Sequence, residues 1–237
     1  MPDEPMPDEP MEKDPMPGHM LVVEDLMLLM FDDKSGVIAG EGTLYYALGG
    51  AVLVELGLGG HVTVDERDKG LNGLKVHAVA GDPLPDPVLR SAQEKVAEKV
   101  RGVQTLLVSI GADLRGTVLD RLVERGMLHR ESKKRLGMFR TASITAADTR
   151  HKEALVAGVR AVLVDGEEPD ARTAALIGLL SASGTLPTLH AVVPWSGEVY
   201  TRAKELERSS WGAEAVNVAV QRTAAANSAA GTAAVTT

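Results

Sequence analysis

The chain has 237 residues and a formal net charge of −8, with 44% hydrophobic residues, 3% aromatics and no cysteine. It is long enough to bury a sizeable core. Disulfides and cysteine-built zinc or redox sites are excluded, and the acidic balance argues against a protein that coats nucleic acid with its whole surface.

Residues 1–18 read MPDEPMPDEPMEKDPMPG, with the pentapeptide MPDEP twice in tandem. Six acidic side chains, one Lys and a Pro every few residues leave nothing to bury. Residues 1–19 are therefore expected to form a disordered acidic tail. The repeat has two readings, a solvating tail or a partner-binding motif. No basic segment followed by an apolar run marks a signal peptide. No stretch reaches the ~18 apolar residues of a membrane span.

With so few aromatics the core must come from Leu, Val, Ala and Met, which favours closely packed helices. Residues 21–31 (LVVEDLMLLMF) predict an apolar helix whose polar residues, Glu24 and Asp25, fall together, and 32–36 a turn. Residues 43–57 are apolar nearly all round and predict a central buried helix. Gly49-Gly50 in its middle would let another helix, or a ligand, come close.

Residues 61–65 and 75–79 alternate apolar and polar and predict a hairpin around a polar loop at 66–73. A rigid linker (DPLPDP) follows, with Pro87 suited to the first turn of the next helix. Helical spacing recurs over 88–101, 103–110, 111–125, 147–164, 169–182, 198–208 and 212–226. Gly166 and Gly184 act as stops, and Pro194 breaks an apolar stretch at 188–193. Residues 227–237 (NSAAGTAAVTT) predict a disordered low-complexity tail. The fold class expected is mainly α: a single helical domain over 20–226, with a central helix bundle and one or two β-hairpins.

Catalytic signatures are largely absent. There is no GxSxG elbow, no HExxH and no phosphate-binding GxxxxGK[ST] pattern. The six His residues lack ligand spacing. His61 and His77 could face each other across the first hairpin, but no third ligand is evident, so no metal or cofactor is expected.

The sequence is most distinctive over 114–144, LRGTVLDRLVERGMLHRESKKRLGMFRTASI. Eight Lys/Arg stand here against three Asp/Glu, a local balance of +5 on an acidic chain. Such an island is a place where an anion could bind. Three readings stay open. One is a solvated helix face with a polar turn. A second is a winged-helix module whose basic wing touches phosphates. The third is a phosphate site for a lipid headgroup, with an apolar tip at 136–139.

Several stretches carry a resemblance: LVVEDLMLLMFDDKSG, GGAVLVELGLGGHV, DRLVERGML, RTAALIGLLSASG and VYTRAKELERSSWGAEAV. In this order, across about 20–226, they resemble the Golgi phosphoprotein family, and the Ala/Gly/Val/Arg usage looks like its actinobacterial members. The best-known member is a peripheral Golgi adaptor that binds phosphatidylinositol 4-phosphate. The resemblance implies a helical domain with a four-helix core and a projecting β-hairpin, here about 128–144, that serves membrane contact or oligomerisation. Its residues would be Lys133, Lys134, Arg135, Leu136, Met138, Phe139 and Arg140. The family's lipid pocket uses one Trp and three Arg. By the flanking motifs these fall near Gly40 and on Gly49, Ala112 and Arg115, so Arg115 alone is retained. Arg115 could instead cap a helix or pair with Asp113 or Glu55. The family adaptor's basic N-terminal coat-recruiting cluster is replaced by an acidic tail, and a Golgi role is not carried over.

The reading that follows is a non-enzymatic peripheral membrane protein binding anionic phospholipid headgroups, phosphoinositide-like or other. It would be cytoplasmic, on the inner face of the membrane, and homo-oligomeric through the hairpin if that surface self-associates. The sequence names no protein partner. The alternative is a soluble regulatory or scaffold protein without lipid affinity, with nucleic-acid binding through a wing-like hairpin as one form of it.

Overall fold

Two apolar helices organise the molecule, a computed structural model that describes residues 19–135 and 139–235. Of residues 66, 132–135, 139–142 and 229–235 it describes the backbone alone. The first helix, α1 (Val22–Met30), is buried along its whole length, Glu24 and Asp25 included. The second, α2 (Leu44–Leu58), buries ten residues and has no continuous polar face. Helices apolar all round belong in a core, and here other helices wrap both.

These are α3 (Pro87–Glu98), α4 (Val103–Gly111), α5 (Leu114–Glu124), α6 (Arg150–Leu163), α7 (Ala171–Ala182), α8 (Gly197–Ser209) and α9 (Trp211–Val235). The chain is thus mainly α, as its spacing predicts, with nine α-helices among the described residues. Among the described residues side chains cap four of them: Asp86 accepts from the Val88 amide, Asp170 from Thr173, Ser196 from Val199 and Ser210 from Ala213. Pro87 occupies the first turn of α3, where its missing N–H loses nothing.

The Gly49-Gly50 pair sets the spacing at the centre. A Cβ on Gly49 would lie 2.3 Å from the Leu107 carbonyl oxygen of α4, and one on Gly50 would lie 2.3 Å from Val216 Cγ2 of α9. Gly111 closes the same crossing from the α4 side, where a Cβ would meet the Tyr45 carbonyl at 1.8 Å. So α2 touches one neighbour backbone to backbone and another backbone to side chain.

Two small antiparallel sheets sit outside the helices. The first joins β1 (Val62–Gly70), β2 (Gly73–Ala78) and the two-residue β3 (Arg101–Gly102). The expected polar loop is mostly strand. β1 runs on through a register shift between Asp65 and Lys69, leaving only Leu71 and Asn72 as the turn. His77 pairs with Thr63, and His61 instead takes the Val79 amide on its carbonyl, so the two histidines are not opposite. The second sheet is the hairpin of β4 (Leu128–Arg135) and β5 (Phe139–Ala146).

α9 runs to Val235, through residues 227–235 of the stretch expected as a low-complexity tail. Its Ala content is the reason, since Ala has the highest intrinsic helix propensity and low complexity in this residue type does not oppose a helix. Residues 1–18, and with them the acidic repeat, lie outside the described residues, as do 136–138, which hold Leu136 and Met138, and 236–237.

Candidate functional site

The basic island begins on α5. Leu114, Val118, Leu119 and Leu122 bury one face against the core. The helix ends at Gly126, whose φ of 72° is the left-handed conformation. The Gly126 amide returns to the Val123 carbonyl, and the Met127 amide to that of Leu122 at 3.0 Å. This paired closure turns the chain sharply out of the helix. Leu128, fully buried, then anchors the base of the hairpin.

From that base the strands pair in unbroken register, from Leu128 opposite Ala146 to Arg135 opposite Phe139. Eight residues of strand reach about 26 Å. The root meets the body: α5 packs on β4, the Ala147 amide binds the Met127 carbonyl at 3.0 Å, and the 32–36 turn abuts Ile144 through Gly36. Lys133, Lys134, Arg135 and Arg140 all lie in the distal half, and Lys134 is directly opposite Arg140. No carboxylate occurs in the sequence from Ser132 to Ala147.

Arg115, Arg121, Arg125 and Arg130 of the island have carboxylate partners. Arg130 pairs with Asp120. Arg125 donates from Nε to Glu24 Oε1 at 2.8 Å, and Arg121 from Nε to the same oxygen at 3.1 Å and from Nη2 to Asp86 at 2.8 Å. Burial opposes the charge on Arg121, but the hydrogen bonds and proximity of Glu24 and Asp86 outweigh it and raise its pKa. Glu24 Oε2 also accepts the Leu21 amide at 2.8 Å, at the positive end of α1.

Asp25 builds the matching half. It accepts Arg172 through Nε at 2.9 Å and Nη2 at 2.6 Å, and lies 2.7 Å from His151 Nε2. Glu55 takes the Val22 amide and lies 3.4 Å from Arg172 Nη1. This network ties α1, α2, α5, α6, α7 and the cap of α3 together. Sequence reasoning noted Glu24, Asp25 and Glu55 without seeing it. The signal was there: a charge inside an apolar helix must find a partner.

Arg115, the proposed headgroup residue, sits in the first turn of α5, with its side chain about half exposed. Its partner is neither Asp113 nor Glu55. Nε lies 2.6 Å from Glu41 Oε1, on the 3-10 turn Glu41–Thr43 that follows Gly40. Glu41 adjoins Gly40, and an ideal Cβ on Gly111, next to Ala112, would be 3.0 Å from the Gly49 nitrogen. Leu107 leaves no room for a side chain at position 49. About nine residues of α5 separate Arg115 from the hairpin's root, roughly 14 Å.

A groove of about 500 Å³ lies between α3 and α5, lined among others by Lys95, Asp113, Arg121 and Glu124. Its cations are engaged: Lys95 Nζ donates to the Ser109 carbonyl at 2.7 Å, and Arg121 to Glu24 and Asp86. Among the described residues no three His, Cys, Asp or Glu cluster as metal ligands. No described helix is long and apolar enough to cross a membrane.

No curated protein matches the chain. A family model does, over residues 22–223, from the first turn of α1 to the middle of α9. It spans the helical core, both sheets and the buried ionic network, and its description is Golgi phosphoprotein 3 (GPP34). The chain belongs to the Golgi phosphoprotein 3 (GPP34) family.

Proposed function

We propose that this protein is a non-enzymatic adaptor that associates peripherally with membranes by laying the β4–β5 hairpin on anionic lipid. The observation that carries the reading is the division of the basic island. Its body-proximal arginines are held by carboxylates, whereas its distal half stands on a hairpin rooted at one end, with like charges opposite each other. Like charges facing across a strand pair are unfavourable, and an anionic surface relieves them.

A Lys or Arg near an anionic bilayer contributes about 1 kcal/mol. Four give roughly 4 kcal/mol, a millimolar-class affinity, so binding is weak and salt-sensitive. Headgroup charge, rather than phosphatidylinositol 4-phosphate itself, sets the preference. Arg115 is a secondary contact, which reaches a phosphate only by leaving Glu41. The expected location is the cytoplasmic face of a membrane, and self-association through the hairpin would add valency there.

The test is co-sedimentation with vesicles of neutral phosphatidylcholine, or the same lipid doped with phosphatidylserine or with phosphatidylinositol 4-phosphate. Retention on both anionic vesicles, lost at high salt, supports the reading. Equal retention on neutral vesicles, or none on any at low salt, contradicts it. Retention on DNA alone would favour a wing-like nucleic-acid module.

A further inference from the structure

The three asparagines of the chain, Asn72, Asn217 and Asn227, occupy two kinds of backbone. Asn217 and Asn227 lie inside α9, where the amide of the following residue belongs to the helical ladder. The Asn217 side chain is also held: Nδ2 donates to Glu207 Oε1 at 2.6 Å, and Oδ1 accepts from Gln221 at 3.3 Å. Asn72 is placed differently. With Leu71 it forms the exposed turn between β1 and β2, and among the described residues its side-chain amide makes no hydrogen bond. Gly73 follows with a φ of 83°, and no side chain shields its nitrogen.

We propose that Asn72-Gly73 is a site of spontaneous modification, where Asn72 loses its amide through a cyclic imide and the turn is converted to aspartyl and isoaspartyl forms. The proposal goes beyond the membrane reading and does not depend on it. The Gly73 nitrogen gives its proton to water and attacks Asn72 Cγ, which the chain itself holds within reach. The N–Cγ bond forms, the Cγ–Nδ2 bond breaks, and the side-chain nitrogen leaves as ammonia. Water then opens the imide on either side. Breaking the new N–Cγ bond restores the ordinary main chain with an aspartyl side chain, whereas breaking the original peptide bond routes the main chain through Cβ and Cγ. Nothing is oxidised or reduced, and water is the only co-reactant. Asp165-Gly166 has the same spacing, but its carboxylate, paired with Arg160 at 2.6 Å, is a poor acceptor for a nucleophile and has no ammonia to lose.

The turn is also a contact point, so the change has a structural consequence. The Asn72 carbonyl accepts the Gln104 amide at 3.0 Å, and an ideal Cβ on Gly102 of β3 would lie 2.5 Å from the same oxygen. Gln104 in turn donates from Nε2 to the Ala215 carbonyl of α9 at 2.8 Å. The isoaspartyl form inserts a methylene into the main chain at this point and displaces that carbonyl. Both products place a new carboxylate beside Arg222, whose Nη2 lies 3.5 Å from the Leu71 carbonyl, and make the formal net charge of −8 one unit more negative.

The test incubates the full chain in mildly alkaline buffer, folded and in urea, and follows each asparagine by peptide mass and by chromatography that separates isoaspartyl from aspartyl peptides. In the folded chain Asn72 should convert at least about tenfold faster than Asn217 or Asn227, which react only after local opening of α9. Conversion of Asn72 in urea alone would mean that the folded turn protects it and overturns the proposal. Conversion of Asn217 or Asn227 ahead of Asn72 in the folded chain overturns it as well.

The second arm uses Asn72→Gln, whose longer side chain closes a larger ring more slowly. Isoelectric focusing of aged samples should show the acidic shift in the parent chain and its loss in the variant; a shift of parental size in the variant overturns the assignment to Asn72. Aged parent chain enriched in the isoaspartyl form should melt about 2–4 °C lower than fresh chain, while aged Asn72→Gln keeps its melting temperature. Equal melting of fresh and converted parent chain contradicts the consequence drawn from the Asn72 carbonyl.

Discussion

Arg121, Arg125 and Arg172 and the basic residues of the β4–β5 hairpin share a side-chain chemistry and differ in surroundings. The arginines meet Glu24, Asp25, Glu55 and Asp86 across helix packing, two of those carboxylates essentially inaccessible to water. The hairpin cations occupy a strand pair whose distal half has no carboxylate in sequence. Local charge density in a sequence therefore does not identify a binding surface. The buried arginines are met by acids that the fold brings from afar: Glu24 lies 97 residues from Arg121 and Asp25 lies 147 from Arg172.

The comparison breaks most visibly at Glu24. Glu24→Gln leaves Arg121 and Arg125 short of a charged acceptor, and removing one partner of a buried ion pair costs about 3–5 kcal/mol. Denaturant unfolding of this variant should show a loss of that size, while Lys133→Gln stays within about 0.5 kcal/mol. Equal effects would erase the distinction between the two regions.

Next comes the helix crossing that carries the network. Gly111→Ala places a methyl against the Tyr45 carbonyl, with backbone on both sides and no flexible side chain to yield. Overpacking of this kind costs about 1–3 kcal/mol, read as a lower melting temperature with hairpin-dependent binding unchanged.

Asp170 lies at the N-terminus of α7, the helix that presents Arg172. Asp170→Ala should cost about 1 kcal/mol through the lost cap. The Thr173 amide, 2.7 Å away, holds the Asp170 carboxyl below its ordinary value. Its folded pKa is depressed, so its contribution is complete above the unfolded value of about 3.9 and fades as pH falls through the lower folded value. Asp170→Asn should keep most of the cap and flatten that acid limb, which a pH series of melting curves would reveal.

The smallest effect is expected at Arg115. Its pair with Glu41 is half exposed, and such pairs contribute about 0–1 kcal/mol. Arg115→Ala should barely change stability and should weaken vesicle binding less than a single charge reversal on the hairpin. A larger loss than the hairpin variant shows would move the headgroup site to the α2–α4–α5 corner.

Much of this architecture was legible in the sequence because apolar periodicity is local. The central helix at α2, the Gly49-Gly50 contact, Pro87 at a helix start and the stops at Gly166 and Gly184 all follow from nearest-neighbour chemistry. The ionic network was not legible, because its partners are distant in sequence and helix packing alone brings them together. Arg115 was legible as a position but not as a pair, since Glu41 reaches it from a turn 74 residues away. Low complexity over 227–235 describes composition, whereas the run of α9 to Val235 depends on which residue is repeated, here Ala.

On this division of the molecule the hairpin cations bind and the buried arginines hold the fold. Its most direct test reverses Lys133, Lys134, Arg135 and Arg140 to Glu together and measures melting temperature and retention on phosphatidylserine-doped vesicles for the same preparation. The expected result is an unchanged melting temperature and loss of essentially all salt-sensitive retention. Retention equal to that of the parent chain would contradict it.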